Sequence, residues 1–156
     1  MSREGVLRIR LGVLVLVSWA LVLEGCARSH VEPVDLTRAP SPLAPLELAQ
    51  WPRVVTQGET WVAVSIDAGD HTVAVQGVRS PIAEEGLRGA NAVVAGEAAL
   101  ATHNEGIATV SWNHEGVVWS LDVECAAGPD DPRCAGDDYA LRLASTLHVM
   151  VDDATQ

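Results

Sequence analysis

Lysine and phenylalanine are absent from the 156 residues, and tyrosine occurs once. All ten basic residues are therefore arginines, set against 21 acidic ones for a formal charge of −11. A chain of that sign repels phosphate backbones, which excludes a basic nucleic-acid surface. The short motifs of common catalysts are missing too. There is no G-x-S-x-G elbow, no Walker loop and no G-x-G-x-x-G, and His114-Glu115 is followed by Val118 where H-E-x-x-H requires its second histidine. No catalytic residue is assigned, and the chain is expected not to be an enzyme and to carry no cofactor. With 48% of its residues apolar, it is not a disordered polymer, and its length suits one ordinary domain.

Part of that apolar content lies outside any core. Arg3, Arg8 and Arg10 precede an apolar run over residues 11–23. A basic start and a short apolar stretch form a signal-peptide pattern, because a normal transmembrane helix needs roughly 20 residues. The competing possibility is an uncleaved anchor spanning a thinned bilayer.

The run ends in Leu23-Glu24-Gly25-Cys26. Here the chain resembles the bacterial lipoprotein signal, whose lipobox carries Leu three places before a Cys and a small residue just before it; Glu24 departs from its usual small or apolar residue. The resemblance implies diacylglyceryl transfer to the Cys26 thiol, cleavage before Cys26 and N-acylation, with palmitate-like chains holding the protein on the membrane. Ordinary secretion is the alternative, with Gly25-Cys26-Ala27 approximating a small-x-small cleavage signal. Removing residues 1–25 leaves 7 Arg against 19 acidic residues, a charge of −12. Anionic head groups would not attract such a surface, so membrane attachment would have to be covalent.

Residues 26–49 read as a tether, since Pro33, Pro40, Pro42 and Pro45 recur at short intervals and keep the chain extended. The folded domain is then expected over residues 50–156. With Cys26 acylated, two thiols remain, Cys125 and Cys134, separated by turn formers. An even pair outside the cytoplasm is most simply a disulfide. A metal or redox site at these two would lack the C-x-x-C spacing and further ligands.

Within the domain, residues 61–66 and 72–75 flank the turn-rich segment 67–70, which predicts an antiparallel hairpin with Ile66 opposite Val73 and Val64 opposite Val75. A second hairpin is predicted over 107–112 and 117–123 around a four-residue turn, Asn113-His114-Glu115-Gly116. Its expected register sets Trp112 opposite Val117, Val110 opposite Trp119 and Ala108 opposite Leu121, with Thr109 and Ser120 on the other face. Weaker strands are expected at 90–94 and 98–102. No helical period shows between 51 and 124. After Gly136 the period changes: Tyr139, Leu143, Leu147 and Met150, with Ala140 and Ala144, form one stripe and predict a helix over about 138–149 with an Asp138–Arg142 pair. The fold class is thus α+β, an antiparallel sheet of about five or six strands packed against one C-terminal helix.

The segments Gly106 to Trp112, Glu115 to Leu121 and Tyr139 to Leu147 together are similar to the end of an uncharacterised bacterial extracytoplasmic domain. That domain looks related to lipoprotein-carrier and sigma-regulator proteins, which are curved antiparallel sheets with helices in the concavity. The matching residues are packing residues, so the resemblance bears on fold more than on function. The Cys125 to Cys134 loop and the low helical content depart from the carriers.

Remaining candidates for chemistry lie in predicted turns. His71, His103 and His114 with Glu105 or Glu115 are the residues from which a metal site would be assembled, and Asp130, Asp131, Asp137 and Asp138 the ones that could offer oxygens to calcium. Both sets read more simply as exposed polar turns, so no metal is assigned. Trp51, Trp61, Trp112 and Trp119 could line a groove, although Trp112 and Trp119 fall on the apolar hairpin face and read as core. The expectation is a lipid-anchored, extracytoplasmic cell-envelope protein that binds or scaffolds, without catalysis and without nucleic acid, with an envelope protein as its possible partner. The alternatives are a regulator that binds a membrane-bound sigma-factor inhibitor, and a small metal-dependent hydrolase using the three histidines.

Overall fold

The computed structural model describes residues 37–81 and 87–150. The expected leader, Cys26 and the expected tether as far as residue 36 lie outside the described residues. In chain order the elements are β1 (Leu43–Pro45), a 3-10 turn (Leu46–Leu48), β2 (Arg53–Gln57), β3 (Trp61–Asp67), β4 (His71–Arg79), β5 (Ala92–Val94), β6 (Glu97–Asn104), β7 (Ile107–His114), β8 (Val117–Cys125), a 3-10 turn (Gly128–Asp130), the helix α1 (Asp138–Ser145) and β9 (Leu147–Val149). Seven strands form one antiparallel sheet in the order β2-β3-β4-β8-β7-β6-β5, and β1 pairs with β9 in a separate ribbon. The architecture is mostly antiparallel sheet with one C-terminal helix, consistent with α+β, and richer in strands than the five or six expected.

Two meanders build the sheet. In the first, Ile66 pairs with Val73 and Val64 with Val75, as alternation predicts. The second runs from β5 through β8 and turns at Ala95-Gly96, Glu105-Gly106 and Glu115-Gly116, ten residues apart, each pair with both φ angles positive. These are two-residue turns whose backbone twist matches that of the strands they join. The expected four-residue turn at 113–116 is therefore corrected: β7 continues to His114 and only Glu115 and Gly116 turn. The register moves by two residues, so that Trp112 faces Trp119, Val110 faces Leu121, Ala108 faces Val123 and Ser111 faces Ser120. A shift of two keeps every side chain on its face, which is why burial alternation alone did not distinguish the registers.

The inner face carries Val62, Val64, Ile66, Val73, Val75, Val110, Leu121 and Val123, all essentially sealed from solvent. At roughly 1.5 to 3 kcal/mol for each such aliphatic side chain fully buried, this face dominates the favourable side of folding. Ala140, Leu143 and Ala144 of α1 pack onto it, and the β1–β9 ribbon closes one end. Outward-facing Thr109 donates to Asp122 across the strands, in keeping with a sheet solvated on one side.

Two boundaries differ from expectation. The ordered body reaches into the proline-rich segment: Ala44 and Leu48 are buried, Leu46 N–H donates to Thr146 C=O, and Met150 N–H donates to Pro42 C=O. Pro45 is tolerated because β1 is the edge of a two-stranded ribbon, where one missing N–H leaves no ladder broken in a central strand. The folded body thus includes residues 43–49, within the stretch expected as tether. The helix is shorter than predicted, stopping at Ser145. Ser145 and Thr146 hydroxyls donate back to Leu141 C=O and Leu143 C=O, a local alternative to further helix, and the chain then enters β9. Arg142 reaches Glu47 at 3.4 Å and lies over the Tyr139 ring, tying the helix to the Leu46–Leu48 turn in place of the expected pair with Asp138.

Candidate functional site

The register lays one row across the inner face: Ala92, Ala99, Trp112, Trp119, Gly77 and Val62. The two indoles stand in the middle with small residues at either hand, and their rings are near parallel, 16° apart with centroids separated by 6.4 Å. Gly77 is what admits Trp119, because a Cβ at that position would lie 2.5 Å from the indole. Helix α1 covers the sheet beside this row but ends at Ser145, and the ribbon passes over it. What remains between them is a cavity of about 540 Å³, lined by Trp112, Trp119, Val117, Leu43, Ala144 and Leu147 among others. That volume lies within the range of small-molecule sites.

The next row outward on the same face is charged. Arg79 and His114 each pair with Val117 from opposite sides, and Glu97 lies beyond His114, so Arg79 and Glu97 flank the row at its two ends. At about 4.8 Å per strand, three strand steps separate them by roughly 14 Å. His114 Nδ1 is 3.4 Å from Glu97 and its Nε2 3.9 Å from Glu115, so both carboxylates are directed to one imidazole. Arg79 donates through Nε to Arg38 C=O and forms no ion pair with a carboxylate among the described residues. From the ribbon, His148 also lines the cavity. Its Nδ1 is buried and has no protein hydrogen-bond partner among the described residues. A buried ring nitrogen left so costs about 1 to 3 kcal/mol.

A second polar cluster stands at the opposite end of the sheet. Arg133 donates to both carboxylate oxygens of Asp70 and of Asp131, at 2.6 to 3.0 Å. Buried His71 contacts Asp70 through Nδ1 at 2.8 Å and Tyr139 Oη through Nε2 at 3.0 Å. With Nδ1–H donating to Asp70, Tyr139 O–H donates to Nε2, and Arg133 Nη1, which lies 3.0 Å from the same Nδ1, donates to Asp70 rather than to the ring. The guanidinium holds the Asp70 carboxyl far below the usual carboxylate range and lowers Asp131 to about 2. Burial pushes the Tyr139 phenol up, away from ready ionisation. A hydroxyl, imidazole and carboxylate in line resemble a nucleophilic relay only superficially: the hydroxyl is the one made harder to ionise, and the carboxylate is held by an arginine. The arrangement is a clasp that joins the β3–β4 turn, the 125–134 loop and α1. Beside it the sulfurs of Cys125 and Cys134 lie at disulfide distance, 2.07 Å.

The three histidines do not converge. His71 and His103 lie toward the clasp end, His103 against Cys134 C=O, whereas His114 lies at the charged row. Among the described residues no group of three His, Cys, Asp or Glu side chains is placed to hold a metal. Asp131 is committed to Arg133, which separates it in role from Asp130, Asp137 and Asp138. Trp112 and Trp119 are core residues, as expected, and also cavity lining; Trp51 and Trp61 are exposed on the surface. The cavity itself escaped sequence reasoning, since Arg79 and His148 sit in strands with no motif around them. The pairing of Gly77 with Trp119 across strands was the signal available. No protein-family model, curated protein or solved structure matches the chain.

Proposed function

We propose that this chain is a lipid-anchored binding module of the cell envelope whose ligand seat is the cavity over Trp112 and Trp119. The observation that carries the reading is the cavity: an apolar floor built by two indoles, with ionisable side chains gathered along one side of its mouth. Apolar enclosure with a few convergent polar groups is the general form of a small-molecule site. Nothing in the clasp offers an activated nucleophile, so binding is favoured over catalysis. Attachment through Cys26 would hold such a module at a membrane surface, and a scaffold role toward an envelope protein is compatible with it.

The binding reading is tested with the neutral fluorophore N-phenyl-1-naphthylamine added to the mature protein. Saturable, one-to-one energy transfer from tryptophan is expected, and it should be lost in Ser145→Phe, which fills the mouth from an exposed position. Absence of saturation, or saturation unchanged in the variant, overturns the seat. The anchor is tested separately by intact mass and detergent partitioning of the natural protein, where a Cys26→Ala change should release it to the aqueous phase.

A further inference from the structure

We propose that β2 is a pairing edge for a second copy of this chain, the two β2 strands running antiparallel about a two-fold axis at Val55. β2 ends the seven-stranded sheet, and all five of its residues are exposed, Val54 by 64% and Val55 by 41%. Gly58 N–H donates to Trp61 C=O and Asp67 N–H to Pro52 C=O, which fixes the phase of bonding between β2 and β3. Bonding alternates along an antiparallel pair, so Val54 and Thr56 are engaged with β3, while the N–H and C=O groups of Arg53, Val55 and Gln57 point away from the sheet. The opposite edge, β5, is blunted by being only three residues long. β2 has no such protection. Residues 53–57 include neither lysine nor proline, their register against β3 is unbroken by a bulge, and their one charge, Arg53, is turned back to Ala49 C=O.

The sequence of β2 selects the occupant. A two-fold axis at Val55 sets Val55 opposite itself, Arg53 opposite Gln57 and Val54 opposite Thr56. The residues with open backbone groups then meet one another, and each such pair exchanges two hydrogen bonds. The two Arg53 side chains stay about 13 Å apart, four residues along the strand. An axis at Arg53 would instead bring them face to face and leave most of the edge unpaired.

Charge points the same way. The chain carries −11 overall, yet residues 53–57 contain no carboxylate. A basic strand drawn to the acidic protein would find no acid along this edge, and an acidic strand would be repelled by the rest of the molecule. A second β2 is itself free of acid. The ends agree as well, because this register places Pro52 opposite the second copy's Gly58, against which that copy's Trp61 indole lies. Exposed Trp51 therefore comes to the end marked by exposed Trp61, and tryptophan is a residue that interfaces favour. The same edge is used by both copies, so the assembly closes at two. Five residues a side make a small interface and hence a weak dimer.

The test is sedimentation equilibrium of the mature protein carrying Cys26→Ala, which removes any disulfide between copies at that thiol, from about 10 µM to about 1 mM. A monomer–dimer equilibrium that stops at two copies is expected. Raising the salt to about 1 M should strengthen it several-fold, because the two bodies are both strongly acidic and their repulsion is then screened. Val55→Lys, which sets two ammonium groups across the axis from an exposed position, should leave the urea unfolding midpoint near the parent's and abolish the dimer. Val93→Lys, on the exposed face of β5 at the other edge, should leave the dimer intact. Amide exchange followed by nuclear magnetic resonance should slow at least twofold for Arg53, Val55 and Gln57 as concentration rises, with Val54 and Thr56 unchanged. A monomer throughout the range overturns the proposal, as does growth beyond two copies, loss of the dimer in Val93→Lys, or a dimer that persists in Val55→Lys. None of these outcomes bears on the cavity, since β2 contributes no residue to its lining.

Discussion

The Trp119 indole occupies the volume in which a Gly77 side chain would stand, on the strand directly across from it. The site and the core are therefore one construction: the large residue that floors the cavity requires the small residue opposite.

Gly77→Ala should accordingly destabilise the fold, although alanine normally favours a strand interior over glycine. The new methyl would drive the indole from its place, and overpacking of this kind costs about 1 to 3 kcal/mol. Urea unfolding measures the loss, and near-ultraviolet circular dichroism should show the Trp112–Trp119 signal altered. An unchanged midpoint would mean that the ring has free space in which to move.

The three two-residue turns make a prediction of opposite sign. Glu105 adopts φ 50°, a left-handed conformation costly for most side chains but tolerated by asparagine. Glu105→Asn should stabilise the protein by about 1 kcal/mol, since Asn-Gly is the preferred pair in such turns. Gly106→Ala should do the reverse on two counts. Its φ of 84° disfavours a side chain, and the added Cβ would lie 2.9 Å from Gly128 Cα. Thermal unfolding of the two variants should bracket the parent.

How much could be read from the chain follows the range of each signal. The pairing of Ile66 with Val73 was legible because alternation and a short turn lie within a dozen residues of each other. The Trp112 hairpin gave its faces but not its register, since Glu115-Gly116 alone and the four residues 113–116 both suit the apolar alternation. Gly96, Gly106 and Gly116, evenly spaced, carried the missing information about the turns. The β1–β9 ribbon was not legible at all: Leu43 and Val149 are more than a hundred residues apart, and prolines around β1 argue locally for an extended tether. The cavity is a consequence of that ribbon, so it was hidden for the same reason. Sequence reading did find the cysteine pair, but not Arg133 beside Cys134 as the centre of a clasp, because its partner Asp70 sits in a distant turn.

Removing the Cys125–Cys134 link should cost about 2 to 3 kcal/mol. The two residues are nine apart, and closing so short a loop removes a calculable share of unfolded-chain entropy. A Cys125→Ala, Cys134→Ala double variant, which avoids burying new polar groups, should show that loss in chemical unfolding. The parent in a strong thiol reductant should match it.

The clasp governs acid stability, and the sign is fixed by the two carboxylates. Asp70 and Asp131 are both depressed in the folded state by Arg133, Asp131 to about 2 and Asp70 further, whereas an aspartate in an unfolded chain titrates near 3.9. Between those values the unfolded state binds more protons than the folded one, so stability falls as pH drops. The contribution is complete above about pH 5 and is lost progressively from about pH 4 downward, while Asp70 keeps part of it below pH 2. In Arg133→Gln the depressing partner is gone. The variant should be less stable than the parent at pH 6, and its stability should decline less steeply between pH 4 and 2, so the two curves draw together toward the acid end. Equilibrium unfolding at several pH values reads both slopes. Parallel curves would mean that Arg133 is not what holds these protons off, and that the acid sensitivity of the fold resides in other carboxylates.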